Sequence, residues 1–440
     1  MASHSPNRPA PVSHKSFTEA PAIGRVVSIV QGQDTATIGL YREEQFFLLA
    51  ADPLKIDGVS IGDIVGFTLS APDRIGTLER IGGAAPRAWR DGGDALRWRK
   101  EYGGSTRMER LRLRHRIVRE LRAYFDEEGF IEVETPILVP APSPEAQFSP
   151  LTAGDRFLIT SPEFQLKRML VGGFERIYRI GPVFRGREAG RLHNPEFTLL
   201  EWYRAGCGLD ALAQDLEAIL QRLLPLATVQ DEKGRLGVTA DPYANPDAEP
   251  ARVDIAAPFH RHSVAQLFRE HLGMNIAGAT RAAELRRAAI DAGVADTEGL
   301  PEDFEAAFFL LWSRFEHELG RDRPLLVVDW PAPLASLARL KPGDPTVAER
   351  MELLLGGIEL ANGFAELTDA AEQRRRFEKD LANRAARALP AVPLDERFLD
   401  SLAQGLPPAA GMALGVDRLV MVLTGATHIA QVLPFAWDEL

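Results

Sequence analysis

The chain has 440 residues, which at about 150 residues per domain allows two or three folding units. Its 45% apolar and 26% charged residues describe a globular protein and exclude wholesale disorder. With 51 basic against 62 acidic side chains the net charge is −11, which argues against a protein whose main task is to coat nucleic acid. Cys207 is the only cysteine, so an internal disulfide and a cysteine zinc cage are both excluded.

Residues 1–21 are rich in Pro and Ser and hold no apolar run that could serve as a signal peptide; a disordered segment is expected there. No stretch of about 18 apolar residues occurs, so no membrane span is expected, and the chain reads as cytoplasmic. Short apolar runs such as IGRVVSIV, DTATIGLY and IGDIVGFTL, separated by turn residues, predict a small β-barrel of the oligonucleotide-binding (OB) type over 22–83. Through residue 90 nine basic residues oppose nine acidic ones. That balance favours a structural or docking role for the barrel over RNA reading.

A Gly/Arg-rich linker over 84–105 leads into the second domain, 106–440. A helix is predicted from Met108 to about Glu128, with Leu111, Ile117, Leu121 and Phe125 at helical spacing. Its arginines (Arg110, Arg112, Arg114, Arg116, Arg119, Arg122) read as a solvated face. FIEVETPIL follows as a strand stopped by Pro136. A helical insertion is expected over about 209–325, interrupted near 241–258. Then come a strand at 325–330, a helix near 346–354, the strand GGIELANGF with a bend or bulge at Asn362-Gly363, a helix over 369–388, and a closing strand, turn and helix in GMALGVDRLVMVLTG. Strands clustered among helices without regular alternation give the class α+β, an antiparallel sheet flanked by helices plus the small barrel.

No phosphate-binding Gly loop, His-Glu-x-x-His pattern or G-x-S-x-G elbow is present, and His260 and His262 lack a third metal ligand. The unusual feature is Arg and Glu set within apolar strands. In EFTLLEWYR, alternation places Phe197, Leu199, Glu201 and Tyr203 on one face. An unpaired carboxylate at Glu201, among Leu200, Trp202 and Tyr203, is costly unless a cationic ligand meets it. Glu359, Asn362 and Glu366 interrupt another apolar run and can hold either a divalent metal or an amine.

Three stretches in order, a helix and strand ending at Pro136, FRGRE…HNPEFTLLEWY, and GMALGVDRL, resemble the signatures of class II aminoacyl-tRNA synthetases. TSPEFQLKRMLVGGFERIYRI and GIELANGFAELTDAAEQRRRFEKD resemble the lysine-activating branch. The run DWPAPLASLARLKPGDPTVAERMELLLGGIELANGF, the DAGVADTE segment and Ala413, where lysyl-tRNA synthetases usually carry Gly, resemble the family that joins (R)-β-lysine to a lysine of translation elongation factor P.

The resemblance implies ATP and Mg²⁺ as cofactors, lysine or (R)-β-lysine as substrate, elongation factor P as acceptor and a homodimer, with tRNA disfavoured. Ser161, Pro162 and Glu163 resemble the loop that holds the substrate amine and backbone. Arg185 resembles the arginine on the α-phosphate. Gly186 and Arg187 belong to the same nucleotide-binding turn, while His193, Asn194 and Phe197 resemble nucleotide contacts. Glu359, Leu360 and Asn362 resemble the ATP and Mg²⁺ shell, with Glu359 and Asn362 as metal ligands. Gly415 and Arg418 resemble the closing face of the ATP site. Glu201, Tyr203 and Glu366 resemble the pocket for the side-chain ammonium, and Ala413 lies beside the substrate's amino-acid end. Arg187 departs from the pattern, since the family carries Glu there to touch adenine. Two other readings stay open: a ligase charging tRNA, and a catalytically silent paralogue that binds lysine or ATP.

Overall fold

The structure is a computed structural model and describes residues 22–31, 35–42, 45–60, 63–82, 97–102, 104–238, 250–294 and 299–440. The expected disordered segment 1–21, most of the linker and part of the interruption near 241–258 lie outside these residues. The chain divides into two compact units, Met1–Lys100 and Glu101–Leu440.

In the first unit, β1 (Ala22–Gln31), β2 (Ala36–Arg42), β3 (Gln45–Ala51), β4 (Ile64–Ala71) and β5 (Arg74–Gly82) close into a barrel in the order β1-β2-β3-β5-β4, with β4 returning to β1. Alternation sends Val26, Ile38, Leu40, Val65 and Phe67 inward, and these form its core. The expected OB-like architecture is borne out.

The second unit opens with a two-strand ladder, Glu101–Tyr102 against Ser105–Thr106, inside the stretch expected to be linker. Thr106 then caps α1 (Arg107–Glu127) in a reciprocal capping box with Glu109. The solvated-face reading of the arginines fails at two positions. Arg110 is buried and donates to Gln431, Ser105 and the Tyr102 carbonyl, and Arg114 pairs with Asp417 and donates to Thr198.

A nine-stranded sheet forms the body of the unit. Its strands are β6 (Ile131–Glu132), β7 (Arg176–Phe184), β8 (Glu196–Ala205), β9 (His260–Ser263), β10 (Leu325–Pro331), β11 (Leu340–Lys341), β12 (Asp344–Leu355), β13 (Ile358–Ala365) and β14 (Ala409–Gly415). The path is β9-β10-β12-β13-β14-β8-β7-β6, with β11 paired to β12 off it. The central strands run antiparallel, and each end carries a parallel pair, β9 with β10 and β6 with β7. This is the expected α+β core.

Three expectations change. The helix near 346–354 is the long strand β12. Its Met, Glu and Leu residues are good helix formers, but a strand buried at the sheet centre reads as a continuous apolar run, and tertiary pairing overrides propensity. The FIEVETPIL strand shortens to Ile131–Glu132. The bulge in β13 falls at Leu360, where the register steps from Leu353↔Ala361 to Leu354↔Glu359, rather than at Asn362-Gly363.

Behind the sheet, α1, the insertion's first helix α3 (Leu209–Leu223) and α9 (Val416–Thr424) bury one apolar face, where Ile117, Phe125, Trp202, Leu216, Leu414 and Val420 share a core. The insertion's other helices, α4 (Val264–Leu272), α5 (Ala282–Asp291) and α6 (Phe304–Trp312), pack a second core with Trp330. On the opposite face α2 (Glu163–Val171) and α8 (Glu396–Gly405) meet through stacked Phe164 and Phe398, with Phe377 of α7 (Ala370–Ala386), the helix expected over 369–388, against both rings. That second face holds the cavity.

Candidate active site

A cavity of about 800 Å³ lies on the open face of the sheet. The alternation of β8 turns Phe197, Leu199, Glu201 and Tyr203 into its wall, as the sequence predicts, while Leu200 and Trp202 point into the core behind. β14 supplies small residues as floor: Ala413 stands in register with Glu201 on one side and with Asn362 on the other. Gly411 is required. A Cβ there would lie 2.2 Å from a Tyr203 ring carbon and 2.6 Å from a Glu366 carboxylate oxygen.

One end of the cavity is cationic and aromatic. Arg185 leaves the end of β7 with its guanidinium 4.4 Å from the Phe148 ring centre and 5.2 Å from that of Phe197. Burial weighs against its charge and lowers its pKa, an effect that Glu188, Glu359 and Glu145 offset only in part. Arg418, in the first turn of α9, donates to the Glu359 carbonyl at 2.9 Å and to His193 Nε2 at 2.6 Å. Enclosure in the wall, then the charge of Arg418, push the His193 imidazole down to about 4, so it is neutral and accepts this bond. Asn194 anchors the loop by donating to the Glu196 carbonyl and accepting from the Trp437 N–H.

Arg187 is exposed and takes φ +65°, a conformation costly for a side-chain-bearing residue. Gly186 before it donates its N–H to the Ser149 carbonyl at 2.7 Å, and a Cβ at Gly186 would sit 2.8 Å from that oxygen. The turn is thereby pinned so that Glu188 lines the cavity, whereas Gly186 and Arg187 do not. A carboxylate thus lines the cavity one residue after Arg187.

The other end is acidic. Glu201 accepts from Ser161 Oγ at 2.7 Å and Tyr203 Oη at 2.8 Å. Burial pushes its carboxyl up to about 7, with the nearby charge of Glu163 adding to the effect. Ser161 Oγ also accepts the Glu163 N–H, and Pro162 stands at the N-cap of α2 without lining the cavity. Glu163 does line it. Glu366 does not: it is enclosed, and its carboxylate pairs with the fully buried Lys167.

Between the two ends, Glu359, Leu360 and Asn362 from β13 line the cavity together with Glu352. Sequence reading missed Glu352 because it assigned 346–354 to a helix. Read as a strand, Glu352 stands directly across from Asn362. Burial, then Glu359, raises the Glu352 carboxyl to about 8 against the pull of Arg350, and the buried Asn362 Oδ1 has no hydrogen-bond partner. Arg350 donates to Glu352 at 2.5 Å and Arg418 stands 3.5 Å from the Glu359 carboxylate, so Asn362 Oδ1 is the unpartnered oxygen of the three, and all three are the hard donors that a divalent cation takes up. Among the described residues no three His, Cys, Asp or Glu side chains are spaced to hold a metal by themselves. The set therefore fits Mg²⁺ that shares its shell with phosphate oxygens. His260 and His262 belong to no metal cluster among the described residues.

No helix among the described residues is long and apolar enough to cross a membrane. Residues 99–439 match the family described as tRNA synthetases class II (D, K and N). A protein of Erwinia tasmaniensis named elongation factor P–(R)-beta-lysine ligase is 37% identical over 346 residues, spanning 76% of this chain and 97% of that protein. One of Salmonella paratyphi B with the same name is 37% identical over 349 residues at the same coverage. The chain belongs to the class II tRNA synthetase family and is a ligase within it.

Proposed function

We propose that this ligase activates lysine or (R)-β-lysine as an acyl-adenylate and passes the acyl group to a lysine side chain of elongation factor P. The reading rests on one observation: a single cavity carries Arg185, Phe197 and Arg418 at one end and Glu163, Glu201 and Tyr203 at the other, over a floor of small residues. The first set suits a nucleotide's ring and phosphates, the second an amine.

In the first step a substrate carboxylate oxygen bonds to the α-phosphorus of ATP, and the bond to pyrophosphate breaks. Phe197 gives the adenine a face to stack on, and Glu188, on the same cavity wall, is the carboxylate that accepts from its amino group in this reading. Arg185 holds the α-phosphate and the incoming carboxylate together, which lowers the cost of bringing two anions into contact. Arg418 faces the departing phosphates. Glu352, Glu359 and Asn362 would hold Mg²⁺, which would supply further positive charge to the phosphate oxygens. Glu201 fixes the substrate by its ammonium. In the second step the acceptor nitrogen bonds to the acyl carbon, the carbon–oxygen bond to AMP breaks, and the acceptor nitrogen loses a proton.

Incubating the enzyme with ATP, each lysine isomer, and either elongation factor P or tRNA, followed by mass spectrometry, tests this. A mass gain of one lysyl group on the protein acceptor is expected. Charging of tRNA alone would turn the reading to a tRNA ligase, and no AMP formation with either isomer would refute both. The exposed apolar Ile131, Ile137 and Leu138, at and just after the parallel edge strand, support a second copy of the chain as partner.

Ala413 is read as the residue that discriminates between isomers, since its methyl stands between Glu201 and Asn362 in register. One carbon in a packed pocket is worth about 1–3 kcal/mol of discrimination. Ala413→Gly is therefore expected to shift the ratio of kcat/KM for (R)-β-lysine over lysine by about tenfold toward lysine in ATP–pyrophosphate exchange. An unchanged ratio would remove Ala413 from the role.

A further inference from the structure

Arg376, Asp380 and Arg384 stand four residues apart in α7 and so share one face of the helix. Arg376 donates to the Ser336 and Ala338 carbonyls at 2.8 and 2.7 Å. Arg384 donates to the Glu145 and Phe148 carbonyls at 3.1 and 2.9 Å. Between these two anchors Asp380 lines the cavity, and among the described residues it has neither a hydrogen bond nor an ion pair. The backbone that the anchors hold frames Glu145, which accepts from Ser143 Oγ at 3.0 Å, from Gln147 Nε2 at 3.3 Å and from Ser336 Oγ. Glu145 in turn feels the charges of Asp380, Arg185 and Glu163, and Arg185 rests on the ring of Phe148 in the same loop. The exposed Arg375 and Lys379 also line the cavity, so it opens to solvent on the α7 side. A route from Asp380 past Glu145 therefore leads in between Arg185 and Glu163, where the proposed function places the acyl carbon.

The second step has a requirement that no residue assigned above meets. A lysine side chain titrates near ~10.4, so the acceptor arrives as an ammonium with no lone pair to attack with. We propose that Asp380 is the general base of the transfer step, receiving the acceptor ammonium where the cavity opens beside α7 and taking the proton that frees its lone pair. The inference rests on the proposed transfer to a protein lysine, and it adds the group that makes that lysine a nucleophile. One proton passes from the ammonium nitrogen to an Asp380 carboxylate oxygen. The nitrogen then bonds to the acyl carbon and the carbon–oxygen bond to AMP breaks. The second proton leaves the nitrogen for a phosphate oxygen of the departing AMP, and Asp380 returns its own to solvent.

The surroundings suit the task. Enclosure, then the charge of Glu145, pushes the Asp380 carboxyl up to about 7, with Glu305 of α6 adding to the rise and Lys379 and Arg376 opposing it. Burial raises Glu145 as well, but its serine hydroxyls favour its ionised form. Asp380 is thus the member of the pair whose oxygens are free to take a proton. A base that titrates near the working pH combines a sufficient ionised fraction with the strongest pull on the proton.

The test separates the two steps on the full chain. ATP–pyrophosphate exchange reads the first, and single-turnover transfer from preformed adenylate to elongation factor P reads the second. In Asp380→Asn, exchange is expected to stay within about twofold of wild type while transfer near neutral pH falls about a hundredfold or more. Hydroxylamine is uncharged near neutral pH and needs no base, so the variant is expected to form the hydroxamate as fast as wild type. Wild-type transfer is expected to rise with pH through a midpoint of about 7 and then level. The variant depends on the scarce free amine and keeps rising about tenfold per pH unit. Asp380→Glu, which retains a carboxylate, is expected to transfer at least about tenfold faster than Asp380→Asn. A wild type that exchanges with neither isomer, or that exchanges without transfer to elongation factor P, refutes the proposed function and the base with it. With an active wild type, equal loss of exchange and transfer, loss of hydroxamate formation, an unaltered pH profile, or a defect confined to the KM for elongation factor P each overturn the role. Should Asp380→Asn fail to fold, the wild-type profile decides alone: levelling above the midpoint supports the base, and an unbroken rise overturns it.

Discussion

Arg185→Ala is expected to reduce ATP–pyrophosphate exchange by about a thousandfold or more, with the unfolding temperature nearly unchanged. Removing a single preorganised donor from a site of developing charge costs about 10²–10³ in rate, and Arg185 does more than one donor's work. Its planar fork can meet the α-phosphate and the substrate carboxylate at once, and the low-dielectric setting between Phe148 and Phe197 strengthens both contacts. Its hold on the fold is slight by comparison. Among the described residues it donates only weakly, to the Thr160 carbonyl at 3.4 Å, and it carries a burial cost that alanine does not. Arg185→Lys is expected to recover little, because a compact ammonium cannot span two anionic groups. A variant that loses exchange and melts many degrees lower would mean that Arg185 holds the structure rather than the phosphate.

Arg185 and Phe197 of the cationic end were legible because they are close in the chain, whereas Arg418, from the helix Val416–Thr424, was reached by resemblance alone. Arg185 through Phe197 form one hairpin, and period-two alternation alone assigns Phe197, Glu201 and Tyr203 to a common face, which the register of β7 and β8 bears out. What depends on distant partners was not legible. Arg110 and Arg114 read as solvated because Gln431 and Asp417 lie 321 and 303 residues further along the chain. Lys167 sits in a stretch with ordinary helical texture, and only the return of β13 brings Glu366 onto it. Glu352 was lost for a different reason. Met351 to Leu355 has the composition of a helix and the burial of a central strand, and a one-dimensional pattern cannot tell a buried strand from a buried helix. Correcting that one element moves Glu352 from a helix surface to a position across from Asn362 and puts a second carboxylate, beside that of Glu359, on the cavity wall.

The largest loss at the amine end is expected from Glu201→Gln. The substitution keeps the shape but removes the charge, and it sets an amide group against two hydroxyls that both donate to the carboxylate. Losing a buried charged partner costs about 2–5 kcal/mol, so KM for lysine is expected to rise by about a hundredfold, with a smaller change in kcat. The same carboxyl sets a pH signature in the wild type. Burial and Glu163 raise it to about 7 against the pull of Ser161, Tyr203 and Lys167, whereas an unfolded Glu titrates near ~4.3. A folded value above the unfolded one means that its contribution to stability is fully present at low pH and is lost as pH rises through about 7. The bound ammonium reverses this, because it favours the ionised acid. As pH rises from about 6 to 8, KM for lysine is therefore expected to fall, and the stabilisation that lysine gives in thermal unfolding to grow, while the substrate's amines remain protonated. Both trends vanish in Glu201→Gln if this carboxyl is their source. If lysine stabilises the wild type equally across that range, or if the variant keeps the trends, the ammonium binds elsewhere and the acidic end of the cavity loses its assigned role.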